Sequence, residues 1–259
     1  MISIIMQIKN RKKNNIKIWT IVFWAALWQL GSMALDREIL LASPLSVGWC
    51  LLSLVQTVSF WQKIAFSLVR IAGGFFLAVF SGLVLSAAAW RFERIRELLA
   101  LPTSILKATP VASFIVLVLI WMPSRNLSVL ISFIMAFPIV YTNLLEGFSN
   151  LDQKLFEMAK IFRIPFRKKL YYFYFGGLLP HLRSACTIAI GMCWKAGIAA
   201  EIIGIPKGSI GESLYNAKIY LETPELFAWT FVIIAVSVCF EKLFLFMLGI
   251  VAARQNVRD

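Results

Sequence analysis

The sequence predicts an all-α fold, that of a polytopic membrane protein with six transmembrane helices. Two properties of the whole chain favour this prediction: 60% of its 259 residues are hydrophobic, and only 15% are charged. A soluble domain has about 45–50% apolar and about 25% charged residues, so the apolar excess is too large to be hidden in a core. The composition therefore argues against a soluble enzyme, a DNA-binding domain and a disordered chain.

Six apolar stretches approach or exceed the roughly 20 residues that a helix needs to cross a bilayer. They are residues 18–35, 64–90, 105–122, 127–145, 176–195 and 226–250. The first resembles a signal peptide, because basic residues precede it and small residues lie near Ser32 and Ala34. Since five more candidate spans follow it, we interpret this stretch as a retained first span.

The distribution of Lys and Arg predicts how these spans are oriented. Eighteen of these residues lie before the first span, between the second and third, around the fourth-to-fifth connection, and after the sixth, against five in the other connections. Cytoplasmic loops of membrane proteins carry the excess of Lys and Arg. Both termini are therefore expected in the cytoplasm, and the net charge of +13 indicates topology rather than a nucleic-acid partner.

The chain is expected to form one membrane domain with short flanking segments. The predicted segments are a basic cytoplasmic N-terminus at 1–17, the first span with an external amphipathic segment at 18–62, a five-helix domain at 63–250, and a cytoplasmic tail at 251–259. Within residues 43–62, apolar residues recur at helical spacing, which predicts a short helix on the outer surface. These residues are Leu45, Trp49, Leu52 and Val55.

The longest cytoplasmic connection, at about 147–175, has the pattern of two short amphipathic helices. The first apolar stripe is Leu151, Leu155, Ala159 and Phe162, and the second is Phe166, Leu170 and Phe173. Pro165 separates the two stripes, and basic residues occupy the other faces. From the residues alone, this segment is either a docking surface for another protein or a helix pair bound to anionic lipid.

No pattern of catalytic or metal-binding residues emerges. The segment 204–209 lacks the spacing of a phosphate-binding loop, His181 has no carboxylate near it in sequence, and the four cysteines are dispersed among apolar residues. We therefore expect no metal, no bound cofactor and no ATPase site in this chain. Energy for uphill transport would come from an ion gradient or from another subunit.

Ionisable residues within membrane spans are candidates for function. Arg70, six residues into the second span, is the candidate for a pathway or gating role. Lys195 is expected to close the fifth span, with Glu201 beyond it, and Glu241 and Lys242 to lie near the inner end of the sixth. All five side chains could instead extend to a membrane interface. No carboxylate is expected near the midplane, which argues against an ion-coupled carrier.

Small residues in the second span predict a close contact between helices. Gly74, Ala78 and Gly82 are spaced by four, so they lie on one helix face and let another helix approach. This packing role is favoured over contact with a substrate.

The connection after the fourth span resembles the cytoplasmic "EAA" loop of type I ABC importer permeases. The family pattern is Glu-Ala-Ala, three residues, Gly, a basic stretch and Leu-Pro. Glu157, Ala159 and the Leu-Pro at 179–180 match it, whereas Met158 replaces the middle Ala and Arg163 stands where Gly is expected. Other segments resemble the nitrate/sulfonate/taurine branch in the right order over about 40–248. They are residues 41–44, 67–74, 109–112, 136–140, 194–201 and 208–213.

The resemblance implies the membrane-spanning permease subunit of an ATP-driven importer of a small solute, in the bacterial cell membrane. It implies a second permease copy, two ABC ATPase subunits that hydrolyse the ATP, and an external solute-binding protein as partners. The implied ATPase-coupling residues are Leu155, Glu157, Ala159, Phe162, Arg163, Pro165 and Phe166. The alternatives are an ion-coupled secondary transporter or channel acting alone, and a membrane-bound scaffold or enzyme.

Overall fold

We describe the fold from a computed structural model, which covers residues 18–35, 37–165, 169 and 174–256. The predicted N-terminal segment 1–17 and the last three residues of the predicted tail lie outside the described residues. Every regular element described below is a helix. The helices are α1 (Ile18–Leu35), α2 (Pro44–Val55), α3 (Val58–Arg91), α4 (Glu93–Ala108), α5 (Val111–Leu119), α6 (Ser124–Ser149), α7 (Gln153–Ile161), α8 (Gly176–Gly204), α9 (Ile210–Ile219) and α10 (Thr223–Asn256).

Within the described ranges, five helices are long and apolar enough to cross a bilayer, namely α1, α3, α6, α8 and α10. The pair α4 and α5 would be the sixth crossing, but it is bent by 103°. The all-α membrane fold is thus confirmed, whereas a continuous helix over 105–122 is wrong. Thr109 and Pro110 both have extended backbone angles. Thr109 leaves the helical conformation because a proline disfavours that conformation in the residue before it.

The long helices extend beyond the predicted spans. α3 begins six residues early because Thr57 caps it, its Oγ1 accepting a hydrogen bond from the Phe60 N–H at 3.3 Å. α8 continues past Lys195 to Gly204 and ends where Ile205 adopts a left-handed φ of 46°. Lys195 therefore lies within the helix rather than at its end. Glu201, expected beyond the span, belongs to the last turn of α8.

The centre of the bundle is formed by α3, α6 and α8, with α6 packed along both of the others. The largest buried apolar side chains between these helices include Ile71, Phe75, Val140, Ile190 and Trp194. α1 lies at the periphery and buries only Ser32, whose Oγ donates a hydrogen bond to the Leu41 carbonyl oxygen at 3.0 Å. The three central helices therefore position the charged residues Arg70, Arg125 and Glu201, which they carry.

α2 and α9 lie at one end of the bundle, which we call the α9 end, and α7 lies at the other, the α7 end. At the α9 end, Thr223 Oγ1 donates a hydrogen bond to the Ile39 carbonyl oxygen at 2.7 Å, which joins the start of α10 to the residues before α2. Val47 of α2 is buried, whereas the predicted apolar stripe of α2 is exposed. α2 thus presents this stripe away from the bundle.

α9 is bracketed by two residues with left-handed backbone conformation. Ile205 precedes it with φ of 46°, and Leu221 follows it with φ of 58°. Such angles bring the β-carbon of an L-residue too close to the following carbonyl oxygen. The segment that carries α9 therefore enters and leaves through strained turns.

Candidate functional site

Arg70 lies on α3 near the α9 end, where two contacts hold its guanidinium group. Its Cζ lies 4.0 Å from the centre of the Phe66 ring, and its Nη1 donates a hydrogen bond to the carbonyl oxygen of Arg125 in the first turn of α6. The Arg125 guanidinium is close enough to repel Arg70 electrostatically. Two cationic side chains therefore meet where α3 and α6 approach the α9 end.

A groove of about 510 Å³ lies between α3 and α6. Its lining residues are Leu77, Phe80, Ser81, Met122, Asn126, Val129, Leu130 and Phe133. Arg70 lies two turns before Leu77 on the same face of α3, and Arg125 directly precedes Asn126. The groove is mostly apolar, with cationic groups near one end. A small anion near that end of the groove would therefore meet favourable charge.

The small residues of α3 lie against α6. Gly74, Ala78 and Gly82 are all buried. A β-carbon added to Gly82 would lie 2.7 Å from Val140 Cγ1, closer than real side chains pack. The two helices that line the groove are thus held at a distance that a larger residue at Gly82 would disturb.

α7, within the predicted coupling segment, exposes large apolar side chains. Ile161 is 77% exposed, the following Phe162 71%, and Met158 42%. The carboxylate residue Glu157 is exposed on the same short helix. This end of the bundle therefore presents an apolar surface with an acidic residue beside it.

The other predicted coupling residues are placed differently. Ala159 is fully buried, so its side chain lies against the protein and not on the exposed face where the periodicity placed it. Leu155 belongs to α7, but its side chain is not among those described. Phe166 and most of the predicted second helix lie outside the described residues.

α7 ends in a left-handed turn at Arg163, where φ is 49°. The Ile164 N–H donates a hydrogen bond to the Ala159 carbonyl oxygen at 3.0 Å, the bond that closes a Schellman motif. Glycine adopts this conformation without a β-carbon clash, which gives a physical reason for the glycine that the resemblance expects here. The helix therefore ends at Ile161, and the left-handed turn that follows at Arg163 lies two residues before Pro165, to which the sequence pattern assigned the break.

Glu201 is fully buried, not at a membrane interface as the sequence analysis expected. Its Oε2 accepts hydrogen bonds from Ser67 Oγ at 2.7 Å and from the Gly211 N–H at 3.3 Å. The Ser67 hydroxyl in turn accepts one from the Ile210 N–H at 3.0 Å. One carboxyl group thus connects α3, α8 and the start of α9. A sequence signal existed in the four small residues before it, which are typical of close helix packing; they are Ala196, Gly197, Ala199 and Ala200.

The remaining polar residues of the spans form no comparable cluster among the described residues. Lys195 and Lys242 are exposed, and Glu241 is half-buried. His181 packs against Gly147, where an added β-carbon would lie 2.9 Å from its Cγ. In the described part of the chain, no group of three His, Cys, Asp or Glu side chains could hold a metal ion.

The described residues thus form a helical bundle with five or six candidate membrane crossings and a groove between two of its central helices. Residues 18–257 match the model of the family described as "Binding-protein-dependent transport system inner membrane component". The chain belongs to this family, which confirms the resemblance drawn from the loop after the fourth span. It is a multi-pass membrane protein and a permease subunit, whose family works with an ABC ATPase and a substrate-binding protein.

Three curated relatives illustrate the range of the family. The chain is 30% identical over 202 residues to an Escherichia coli protein described as an aliphatic sulfonates transport permease, and the match covers 76% of each chain. It is 25% identical over 220 residues to the taurine transport system permease protein of Escherichia coli, covering 83% of this chain and 80% of the relative. It is 28% identical over 159 residues to the bicarbonate transport system permease protein of Synechococcus elongatus, covering 61% and 57%.

Proposed function

We propose that this permease imports a small anion, that the groove between α3 and α6 belongs to its translocation pathway, and that the exposed face of α7 receives the ATPase. The single observation that carries the proposal is this apolar face, made by Met158, Ile161 and Phe162. A surface patch of this kind marks an interaction site. ATP is then hydrolysed by the partner, and this chain acts as a transport subunit without enzymatic activity or cofactor of its own.

The orientation follows from the basic residues. Because most Lys and Arg lie in the connections at the α7 end, this end is cytoplasmic and the α9 end faces outside. Both termini, including the segments 1–17 and 251–259, are then cytoplasmic. This places α7 where a cytoplasmic ATPase can reach it and α9 where an external binding protein can.

The substrate class is supported by charge. Arg70 and Arg125 provide positive charge beside the groove, and arginine suits carboxylate, sulfonate and similar planar or tetrahedral oxyanions through its fixed fork of N–H donors. The relatives are described as permeases for sulfonates, taurine and bicarbonate. A sulfonate-like or carboxylate-like anion is therefore the substrate that we propose.

The groove needs a cover to serve as a pathway. Leu77 and Phe80, which line it, are 54% and 69% exposed, so one side of the groove is open in the single chain. A second copy of the permease is the proposed cover. The complete importer would then contain two permease copies and two ATPase subunits.

The test uses the permease co-expressed with its ATPase. Phe162→Ser and Ile161→Ser should reduce the amount of ATPase that co-purifies and should abolish ATP-dependent anion uptake in proteoliposomes, because each removes an exposed apolar contact. Leu45→Ser is the control, since Leu45 of α2 is 68% exposed, lies outside the membrane-crossing helices and belongs to the opposite end of the bundle from α7. Wild-type retention of the ATPase by Phe162→Ser would contradict docking on α7. Uptake by the lone permease, driven by a proton or sodium gradient, would favour a carrier instead.

A further inference from the structure

We propose that Glu201 is a positioning residue for transport, which fixes α9 against α3 and α8 and so transmits movements of the α9 end to the arginines beside the groove. The transport part of this inference rests on the proposed function. The positional part stands on the geometry of the α9 end alone.

The first three N–H groups of α9 all bind side-chain oxygens. Such groups have no partner within their own helix. The Glu212 N–H donates to Ser209 Oγ at 2.9 Å, while the Ile210 and Gly211 N–H groups donate to Ser67 and Glu201, respectively. A single helix start thus uses acceptors from three separate parts of the chain.

The local cap is sufficient to begin the helix. Ser209 and Glu212 have the spacing of a capping box, and Glu212 Oε2 accepts a second bond from the Gly208 N–H at 2.6 Å. Ser67 is more than 140 residues away in sequence from the N–H group that it binds. Because α9 is already capped locally, the bonds to Ser67 and Glu201 determine where it lies rather than whether it forms.

The surroundings of Glu201 are buried and tightly packed. A β-carbon on Gly211 would lie 2.3 Å from Glu201 Cβ, so the two backbones are in direct contact there. Within the described residues, Glu201 Oε1 and Ser128 Oγ are both buried without a hydrogen-bond partner, and Ser128 is close enough to act on the Glu201 carboxyl group. The Ser128 hydroxyl is therefore a donor available to Oε1, which would extend the network to α6.

The same turns carry the arginines beside the groove. Ser67 lies one turn before Arg70 on α3, and Ser128 lies one turn after Arg125 on α6. A displacement of α9 would therefore act on Ser67 directly through the Ile210 N–H, and also through Gly211 and Glu201, and so on the turn that holds Arg70. An acidic residue buried in a membrane protein is costly and usually functional, and this connection gives Glu201 a function.

The positional part is tested by spin labels on Gln62→Cys of α3 and Asn216→Cys of α9, both exposed positions, in the assembled permease–ATPase complex without its native cysteines. Glu201→Ala should broaden the distribution of distances between the labels. Glu201→Gln should keep the wild-type width, because its carbonyl oxygen can still accept from Ser67 and Gly211. Lys218→Ala is the control, since Lys218 is an exposed charged residue of α9 that lies outside the bonds at the start of this helix. An unchanged width in Glu201→Ala would overturn the proposal.

The transport part is tested by ATP hydrolysis with and without the loaded binding protein. Glu201→Ala should lower the stimulation by the binding protein by about tenfold, within the range found for coupling between sites, and leave unstimulated hydrolysis unchanged. Glu201→Gln should restore the stimulation. If Glu201→Ala lowered ATP hydrolysis equally with and without the binding protein, the role of Glu201 would be merely structural, and the transport part of the proposal would be overturned.

If the Glu201→Ala permease does not assemble with the ATPase, Ser67→Ala is the deciding variant, because it removes the two hydrogen bonds of the Ser67 hydroxyl and leaves Glu201 with its bond from the Gly211 N–H. It should give a smaller change in the same direction, and wild-type behaviour would overturn the proposal. Failure of the wild-type complex to import anions would instead contradict the proposed function, and the distance measurement would remain valid.

Discussion

A β-carbon on Gly74 would lie 2.3 Å from the backbone carbonyl oxygen of Val129, so α3 and α6 touch at this point through their main chains. Gly73, its neighbour in sequence, has nothing within 4 Å of the same position. The same substitution at these two adjacent glycines can therefore distinguish the effect of helix packing, which acts at Gly74, from that of helix propensity, which acts at both.

Gly74→Ala should destabilise the permease because the added methyl group pushes α3 away from α6, and overpacking of this kind costs about 1–3 kcal/mol. Gly73→Ala should be neutral or slightly stabilising, since alanine is favoured over glycine in a helix by about 1 kcal/mol. The unfolding temperature of the two purified variants measures the difference. Equal unfolding temperatures would contradict this prediction, because they would show that α3 and α6 admit a methyl group at Gly74 without loss of stability.

Arg163→Gly should stabilise the turn after α7. The left-handed conformation costs an L-residue about 1–2 kcal/mol, and glycine adopts it freely. Hydrogen exchange of the α7 amides should therefore slow in Arg163→Gly but not in Arg163→Ala, which removes the side chain and keeps the strain. Faster exchange in the glycine variant would mean that the Arg163 side chain itself holds the turn.

Arg70→Gln should raise the KM for anion uptake in the assembled importer, because a charged hydrogen-bonding group is worth about 1.5–3 kcal/mol. Arg70→Lys should restore part of the loss, since lysine keeps the charge but lacks the planar group that stacks on Phe66. Uptake over a range of anion concentrations, at constant ATP, separates KM from the maximal rate. An unchanged KM and an unchanged maximal rate in Arg70→Gln would show that Arg70 does not contribute to the translocation pathway.

Cys50 of α2 should react slowly with an impermeant maleimide from outside the cell. Burial raises the pKa of this thiol above its ordinary value of 9.0, and the carboxylates of Glu225 and Glu222 raise it further. A raised pKa keeps the thiol protonated, so the reactive thiolate forms only at higher pH. Labelling should therefore accelerate as the pH rises, and Glu222→Gln should accelerate it at a fixed pH.

The control for this measurement is Ser53→Cys in a chain without other cysteines, because Ser53 is exposed on the same helix. It should react faster than Cys50 at neutral pH. If neither cysteine reacts in intact cells, α2 does not face outside and the proposed orientation is wrong.

The number and order of the apolar helices could be predicted from the sequence because hydropathy and length decide which helices cross a bilayer. The bend between α4 and α5 had a local signal at Pro110, but its angle depends on how α5 packs against α6 and α8. The predicted end of α8 was too early. A charged residue, Lys195, lowers the local mean hydropathy and so ended the predicted span, whereas the helix itself continues to Gly204.

The candidate site was predictable in outline only. Arg70 could be found because a lone cation in an apolar span stands out, while the partners of Glu201 lie far away in sequence and meet it only in the folded bundle. Periodicity placed Ala159 and Phe162 on one apolar stripe, but it could not tell which of them faces the protein. Since Ala159 is buried, Ala159→Asp would disturb the packing of α7 itself, and Phe162 is the residue that tests docking.

Two residues with left-handed backbone angles, Ile205 and Leu221, place backbone strain on either side of α9. Each costs about 1–2 kcal/mol of backbone strain. At Leu221 the turn is closed by a hydrogen bond from the Glu222 N–H to the Ala217 carbonyl oxygen at 2.9 Å. Since glycine adopts left-handed angles without this strain, Ile205→Gly and Leu221→Gly would each relieve it.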